Sequence, residues 1–167
     1  MSLHDRIHAD IAVAMRGGDT LRRDVLRMVS SAAYNVEKQQ GRPLTDDEYL
    51  AVLTREVKTR RESVDAFRAG GRDDLVAKES AEIAILSEYL PEPLSETELQ
   101  GLVDEAIRTT GAASARDLGK VMGWLSPRTR GRADGRHVSE LVAAALARID
   151  LASHDAADPA AAHASSG

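Results

Sequence analysis

Apolar side chains recur every three or four residues along most of this chain, and glycine or proline stands at nearly every point where one run yields to the next. That spacing is the period of an amphipathic helix, and no stretch shows the strict alternation of a half-buried strand. The first four runs are Leu3, Ile7, Ile11 and Met15; Leu21, Val25, Met28, Ala32 and Val36; Leu50, Leu53, Val57 and Val64; and Leu75, Ile83, Leu86 and Leu90. Three more follow: Leu99, Leu102, Val103 and Ile107; Leu118, Val121, Met122 and Leu125; and Val138, Leu141, Val142, Ala145 and Ile149. Aromatic residues are only 3% of the chain, and β-branched ones are sparse beside Ala, Leu, Glu and Arg. That mix favours helix over sheet. The expectation is an all-α protein of seven helices.

Capping residues mark the starts. Ser2 and Asp19 stand before the first two runs, Thr45-Asp46-Asp47-Glu48 and Ser95-Glu96-Thr97-Glu98 form capping boxes, Ser114 precedes the sixth run and Asp134 the seventh. Gly17-Gly18, Gly41-Arg42-Pro43, Gly70-Gly71 and Gly111 supply stops, and Pro127 is expected to end the sixth helix. Pro91-Glu92-Pro93 is the clearest boundary, since two prolines one residue apart form a stiff, extended link. The division expected is an N-terminal bundle of about four helices over 1–90 and a small three-helix C-terminal domain over 95–149. Residues 150–167 are Ala-rich without an apolar stripe and are expected to be a disordered tail.

The absence of cysteine excludes disulfides, zinc–thiolate sites and thiol catalysis, and fits a reducing cytosol. No apolar run reaches the ~18 residues of a membrane-spanning helix, and MSLHDRIHADI lacks the apolar core of a secretory signal. A cytoplasmic protein is expected. The net charge of −5 argues against a generic nucleic-acid coat but hides an asymmetry. Glu79 to Glu105 holds eight acidic residues and no Lys or Arg, whereas Arg116 to Arg136 holds six basic residues against two acidic.

Three polar residues fall on apolar stripes: Asn35 on the second, Arg61 on the third and Glu79 on the fourth, with Glu82 at the edge of the last. A buried carboxylate needs a partner, so an Arg61–Glu79 pair assisted by Asn35 is expected to fix helix register. A hydrolase or amidase built on the same pair lacks a visible nucleophile or metal set, and no catalytic residue is assigned. His4 and His8 share a helix face, but without a third ligand no metal site is assigned; no cofactor motif is present either. His137 is expected to be solvated. Trp124 either stacks on a base or seals the edge of the small core.

The strongest functional signal is the loop after the sixth helix, with Arg128, Arg130, Arg132 and Arg136 and with Gly123, Gly131 and Gly135 punctuating the unit. Lys120 lies on the exposed face one turn before Trp124. Such an array presents guanidinium groups and backbone N–H groups to an anion.

GKVMGWLSPRTRGRADGRHVSELV resembles the C-terminal motif of YqeY-like proteins. It is also similar to the tail domain of the B subunit of the tRNA-dependent amidotransferase, where Gly-Lys-Val-x-Gly precedes a basic Gly-containing loop. MSLHDRIHADIAVAMRGGDTLRRDVLRMVSSA, LTDDEYLAVLTREVKTRRES and EIAILSEYLPEPLSE resemble YqeY-like sequences as well, in register from about residue 2 to residue 148. Gly119, Lys120, Gly123, Arg130, Gly131, Arg132 and Ala133 match the tail motif; Trp124, Ser126 and Pro127 lie outside its fixed part. The resemblance implies the tRNA-gripping part of a carbon–nitrogen ligase without its catalytic body, hence binding and not catalysis. The expected function is non-catalytic tRNA binding through Lys120, Gly123, Arg128, Arg130, Gly131, Arg132 and Arg136, in support of tRNA-dependent amidation or aminoacyl-tRNA handling. A second reading is a protein-interaction module, with a protein partner in aminoacyl-tRNA metabolism and no direct RNA contact.

Overall fold

The computed structural model describes residues 1–157, and residues 158–167 of the expected tail lie outside that range. The described chain is all-α, as expected, with no strand among the described residues. Its helices are α1 (Leu3–Gly17), α2 (Thr20–Gln40), α3 (Asp46–Ala69), α4 (Asp73–Ser87), α5 (Glu96–Thr110), α6 (Leu118–Thr129) and α7 (Gly135–Ala157), with a 3-10 turn at Ala115–Asp117 before α6. The chain divides into one unit of Met1–Glu92 and a second that begins at Pro93.

The caps work as the sequence indicates. Ser2 Oγ accepts from the Asp5 N–H at 3.0 Å, and Thr45 and Ser95 form reciprocal capping boxes with Glu48 and Glu98. Gly18 closes α1 in the left-handed region, φ 72°, where a side chain would be strained.

In the first unit α1 lies along α2 and α3 along α4, around a core of Ile7, Val25, Leu26, Val29, Tyr49, Leu53, Val57, Leu86 and Tyr89. The apolar face of α2 is turned from the expected stripe: Val25, Leu26, Val29 and Ala33 are buried, while Leu21 and Met28 are exposed. The expected Arg61–Glu79–Asn35 set is corrected as well. Arg61 and Asn35 are exposed, and Glu79 is half-buried. The buried pair is Arg60 with Glu82, 5% and 8% exposed, with Nε donating to Oε2 at 2.9 Å. Arg60 Nη1 also donates to the Glu56 carboxylate at 2.8 Å and to its carbonyl at 3.1 Å. The reason is phase: Leu53, Val57, Arg60 and Val64 are spaced four, three and four apart, so Arg60 lies on the buried line and its neighbour is turned away by about 100°.

Two polar clusters pin the ends of this unit. The Tyr89 hydroxyl donates to Asp10 at 2.5 Å, the Arg6 guanidinium lies 4.7 Å from the Tyr89 ring centroid, and Arg22 makes two bonds to Glu88 at 2.7 and 3.0 Å. Burial, joined by the neighbouring Asp10 carboxylate, pushes the Tyr89 phenol up to about 12. Removing its hydroxyl (Tyr89→Phe) frees a half-buried carboxylate from its donor and is expected to lower the urea midpoint by the equivalent of about 1–2 kcal/mol.

At the start of α3, Arg42 makes two bonds to Glu48, which also accepts from the Thr45 N–H. These bonds, Arg42 first, hold the Glu48 carboxyl down at about 2, from an ordinary 4.5. A folded-state pKa below the unfolded one gives stability that is complete above the unfolded value and lost as pH falls toward the folded one. The melting-temperature gap between wild type and Glu48→Gln should therefore be constant from pH 7 down to about 5 and close progressively below it.

The second unit packs Leu99, Val103, Val121, Leu125, Val138, Val142 and Leu146 together. Two boundaries differ from expectation. Pro127 lies inside α6, which continues to Thr129. Proline withholds only its own N–H from the carbonyl four residues back, and nearby carbonyls are capped by side chains: Thr129 Oγ1 donates to Leu125 and Arg128 Nη1 to Trp124. α7 runs to Ala157, so residues 150–157 of the expected disordered tail are helical. The high helix propensity of alanine extends the helix beyond its apolar stripe.

Candidate nucleic-acid interface

α6 buries Val121, Leu125 and Thr129 and turns its opposite side to solvent. Gly123 and Pro127 stand on that side, and Lys120, Trp124 and Arg128, four residues apart each, flank it about 100° from the buried line. At 1.5 Å per residue the outer two are separated by about 12 Å along the helix. Lys120, Gly123 and Arg128 are exposed, and Trp124 is half-buried, packing on the core. A Cβ placed on Gly119 or Gly123 would meet nothing within 4 Å. The fold does not require these glycines, each of which costs a helix about 1 kcal/mol against alanine. They leave a low strip of backbone on the cationic face.

Arg128 is held in place. Its guanidinium carbon lies 3.7 Å from the centroid of the Trp124 ring, and Nη1 donates to the Trp124 carbonyl at 2.5 Å. Trp124 therefore borders the small core, the second of the two uses expected for it, and one face of its ring is covered by the Arg128 guanidinium. The spacing Trp124–Arg128, four residues apart on one helix, is the signal by which the pairing is legible in sequence.

The loop itself is a tight turn. The Arg130, Arg132 and Ala133 N–H groups donate to Ser126, Thr129 and Thr129, and Gly131 takes φ 73°, the left-handed conformation that favours glycine. The Arg132 carbonyl accepts from the Leu94 N–H at 2.8 Å, and Ala133 packs on the core. Arg132 is half-buried, and its charge adds to the Ser95 bonds that keep the Glu98 carboxyl below its ordinary range. Gly131, Arg132 and Ala133 are thus built into the turn, while Arg130 points out of it, exposed. Arg136, in the first turn of α7, is 81% exposed and 3.8 Å from a Glu140 that is itself exposed, a pairing worth at most about 1 kcal/mol. His137 is not simply solvated: its Nε2 lies 2.6 Å from Glu96 Oε1. Lys120 stands near Asp117, whose carboxyl is held low chiefly by the Ala113 and Ser114 N–H groups.

The structure therefore brings Lys120, Arg128, Arg130 and Arg136 to solvent along one continuous piece of chain and sets Arg132 apart from them. In the first unit, His4 and His8 stack with ring centroids 4.3 Å apart and His8 Nε2 lies 3.2 Å from Ser30 Oγ. No group of three His, Asp or Glu among the described residues is placed to hold a metal.

The described residues thus form an all-α protein of two helical units, the second with a cationic α6 face and a glycine-closed basic turn. The chain belongs to the YqeY-like protein family, whose model matches residues 4–146. It is 30% identical over 141 residues to the altered inheritance of mitochondria protein 41 of Pyrenophora tritici-repentis, across 82% of this chain and 77% of that one. The protein of the same name from Saccharomyces cerevisiae is 27% identical over 124 residues, 70% of this chain and 66% of its own length. That of Eremothecium gossypii is 32% identical over 82 residues, 48% of this chain and 45% of its own. These relatives are named as mitochondrial proteins, and the cytoplasmic location expected from composition is corrected on that finding. No helix among the described residues is long and apolar enough to cross a membrane.

Proposed function

We propose that the second unit binds RNA through its phosphate backbone, tRNA being the class that the resemblance to the amidotransferase tail implies, and that it positions this RNA without acting on it chemically. The observation that supports this reading is the exposure of Lys120, Arg128, Arg130 and Arg136 on the α6 face and the two turns that follow it. The acidic stretch from Glu79 to Glu105 repels a polyanion and leaves the basic segment as the favoured landing point. Aminoacyl-tRNA handling, with tRNA-dependent amidation as the implied setting, is the role proposed.

The test is a gel-shift titration of the whole chain with total tRNA across a salt series. Four neutralised phosphates give a slope of log affinity on log salt of roughly −3 to −4. No retardation at low salt would remove the proposal. A second reading rests on the first unit, where Val13, Met15, Met28 and Tyr34 remain more than half exposed on α1 and α2. Apolar side chains left exposed on two packed helices are a surface that a protein partner can cover; copurification that survives nuclease treatment favours it over RNA.

A further inference from the structure

We infer that the RNA held by the second unit contributes an unpaired nucleobase, which stacks on the outer face of the Arg128 guanidinium; this rests on the RNA-binding reading above and specifies its ligand. An exposed arginine ordinarily samples many rotamers, and side-chain entropy opposes fixing it. Arg128 is fixed before any ligand arrives. The Trp124 ring lies against one face of its guanidinium at 3.7 Å, and the bond from Nη1 to the Trp124 carbonyl sets its rotation. Trp124 is in turn held by its packing on the core of Val121, Leu125 and their neighbours. The result is a planar cation with one side covered and the other open to solvent.

Gripping phosphate needs no such plane. Lys120, a mobile point charge on the same face, suffices for that, and so does Arg130. A flat guanidinium held against an indole extends the stack by one more planar partner, and RNA bases splayed from loops and ends stack on aromatic rings and guanidinium planes alike. Lys120, about 12 Å back along α6, and Arg130, two residues on, flank the platform at positions suited to the phosphates on either side of one base. Bases inside a duplex are already stacked and paired, so the site selects single-stranded RNA.

Three probes separate the possibilities: a short single-stranded oligoadenylate, an inorganic polyphosphate of matched charge, and a blunt RNA duplex. The whole chain should bind oligoadenylate more tightly than the other two. Arg128→Lys keeps the charge and removes the plane; it should weaken oligoadenylate binding roughly 5- to 150-fold, the range spanned by loss of one stacked base. Its affinity for polyphosphate should stay within about twofold. Lys120→Ala, by contrast, should weaken both probes alike. The circular dichroism melt of Lys120→Ala should match wild type, and Arg128→Lys, which loosens the contact with Trp124, should still be fully folded at the temperature of the binding assay. Equal binding of all three probes by wild type, or equal effects of Arg128→Lys on strand and polyphosphate, overturns the stacked base and leaves phosphate binding standing. Failure of wild type to bind any of them overturns the RNA reading and this inference together.

Discussion

Glu82→Ala is expected to lower the stability of the first unit by about 3–5 kcal/mol. Arg60 is 5% exposed and enclosed by α3 and α4, so removal of its Glu82 partner leaves a cation in a site that water does not reach freely. Glu56 remains as a partner on the same helix, which sets the expectation toward the lower end of the range. Arg60→Ala acts for the mirror reason, leaving the Glu82 carboxylate 8% exposed without its cation. Replacing both residues together by apolar side chains of similar volume should cost little or even stabilise, because the desolvation of both charges then disappears. Urea unfolding of the two single variants and the double variant closes the cycle. A drop under about 1 kcal/mol for Glu82→Ala, or strict additivity, would show that the pair has no energetic part in holding α3 against α4.

The triple variant Lys120→Ala, Arg128→Ala, Arg130→Ala should reduce tRNA affinity on the order of a hundredfold at about 0.1 M salt. Each phosphate neutralised on RNA adds about 0.7 to 0.9 to the slope of log affinity on log salt, so removing three cations, a decade below the molar reference, amounts to roughly two log units. The slope itself should flatten by about two to three. Arg132→Ala makes the discriminating control. Arg132 is half-buried beside the turn, with its charge directed on Glu98, so its removal should register in the melting temperature more than in the salt slope. A triple variant with the wild-type slope would move the proposed interface away from α6.

The fold was legible because helix ends are written in single residues: Ser2, Asp19, Thr45 and Ser95 stand at the positions where an orphan N–H needs an acceptor, and each one caps there. Which side of a helix faces inward was less legible. α2 has apolar residues on two adjoining lines, so Leu21 and Met28 compete with Leu26 and Val29 on paper; packing, not pattern, decides. α4 has the same ambiguity, with Leu75, Val76, Ile83, Ile85 and Leu86 spread around it, and the misplaced Arg61–Glu79 pair follows from it. The signal was nonetheless present in Arg60, three residues after Val57 and four before Val64, and in Glu82, three and four residues before Ile85 and Leu86. Tyr49 and Tyr89 were also missed as core residues, although Tyr49 precedes Leu53 by four and Tyr89 follows Leu86 by three. In the basic loop, charge and glycine content pointed to the region. They could not separate Arg130, which leaves the turn, from Arg132, which the turn takes in, because that division depends on the single left-handed residue between them, Gly131.

The placement of the aromatic residues has a practical consequence. Trp124 is the only tryptophan, and it sits in the second unit, whereas Tyr34, Tyr49 and Tyr89 all belong to the first. Excitation at wavelengths that spare tyrosine thus follows the melting of one half of the chain, and near-ultraviolet tyrosine signals follow the other. Nature has supplied two independent spectroscopic channels, by which coincident or staggered denaturation of the halves can be recorded without attaching a dye.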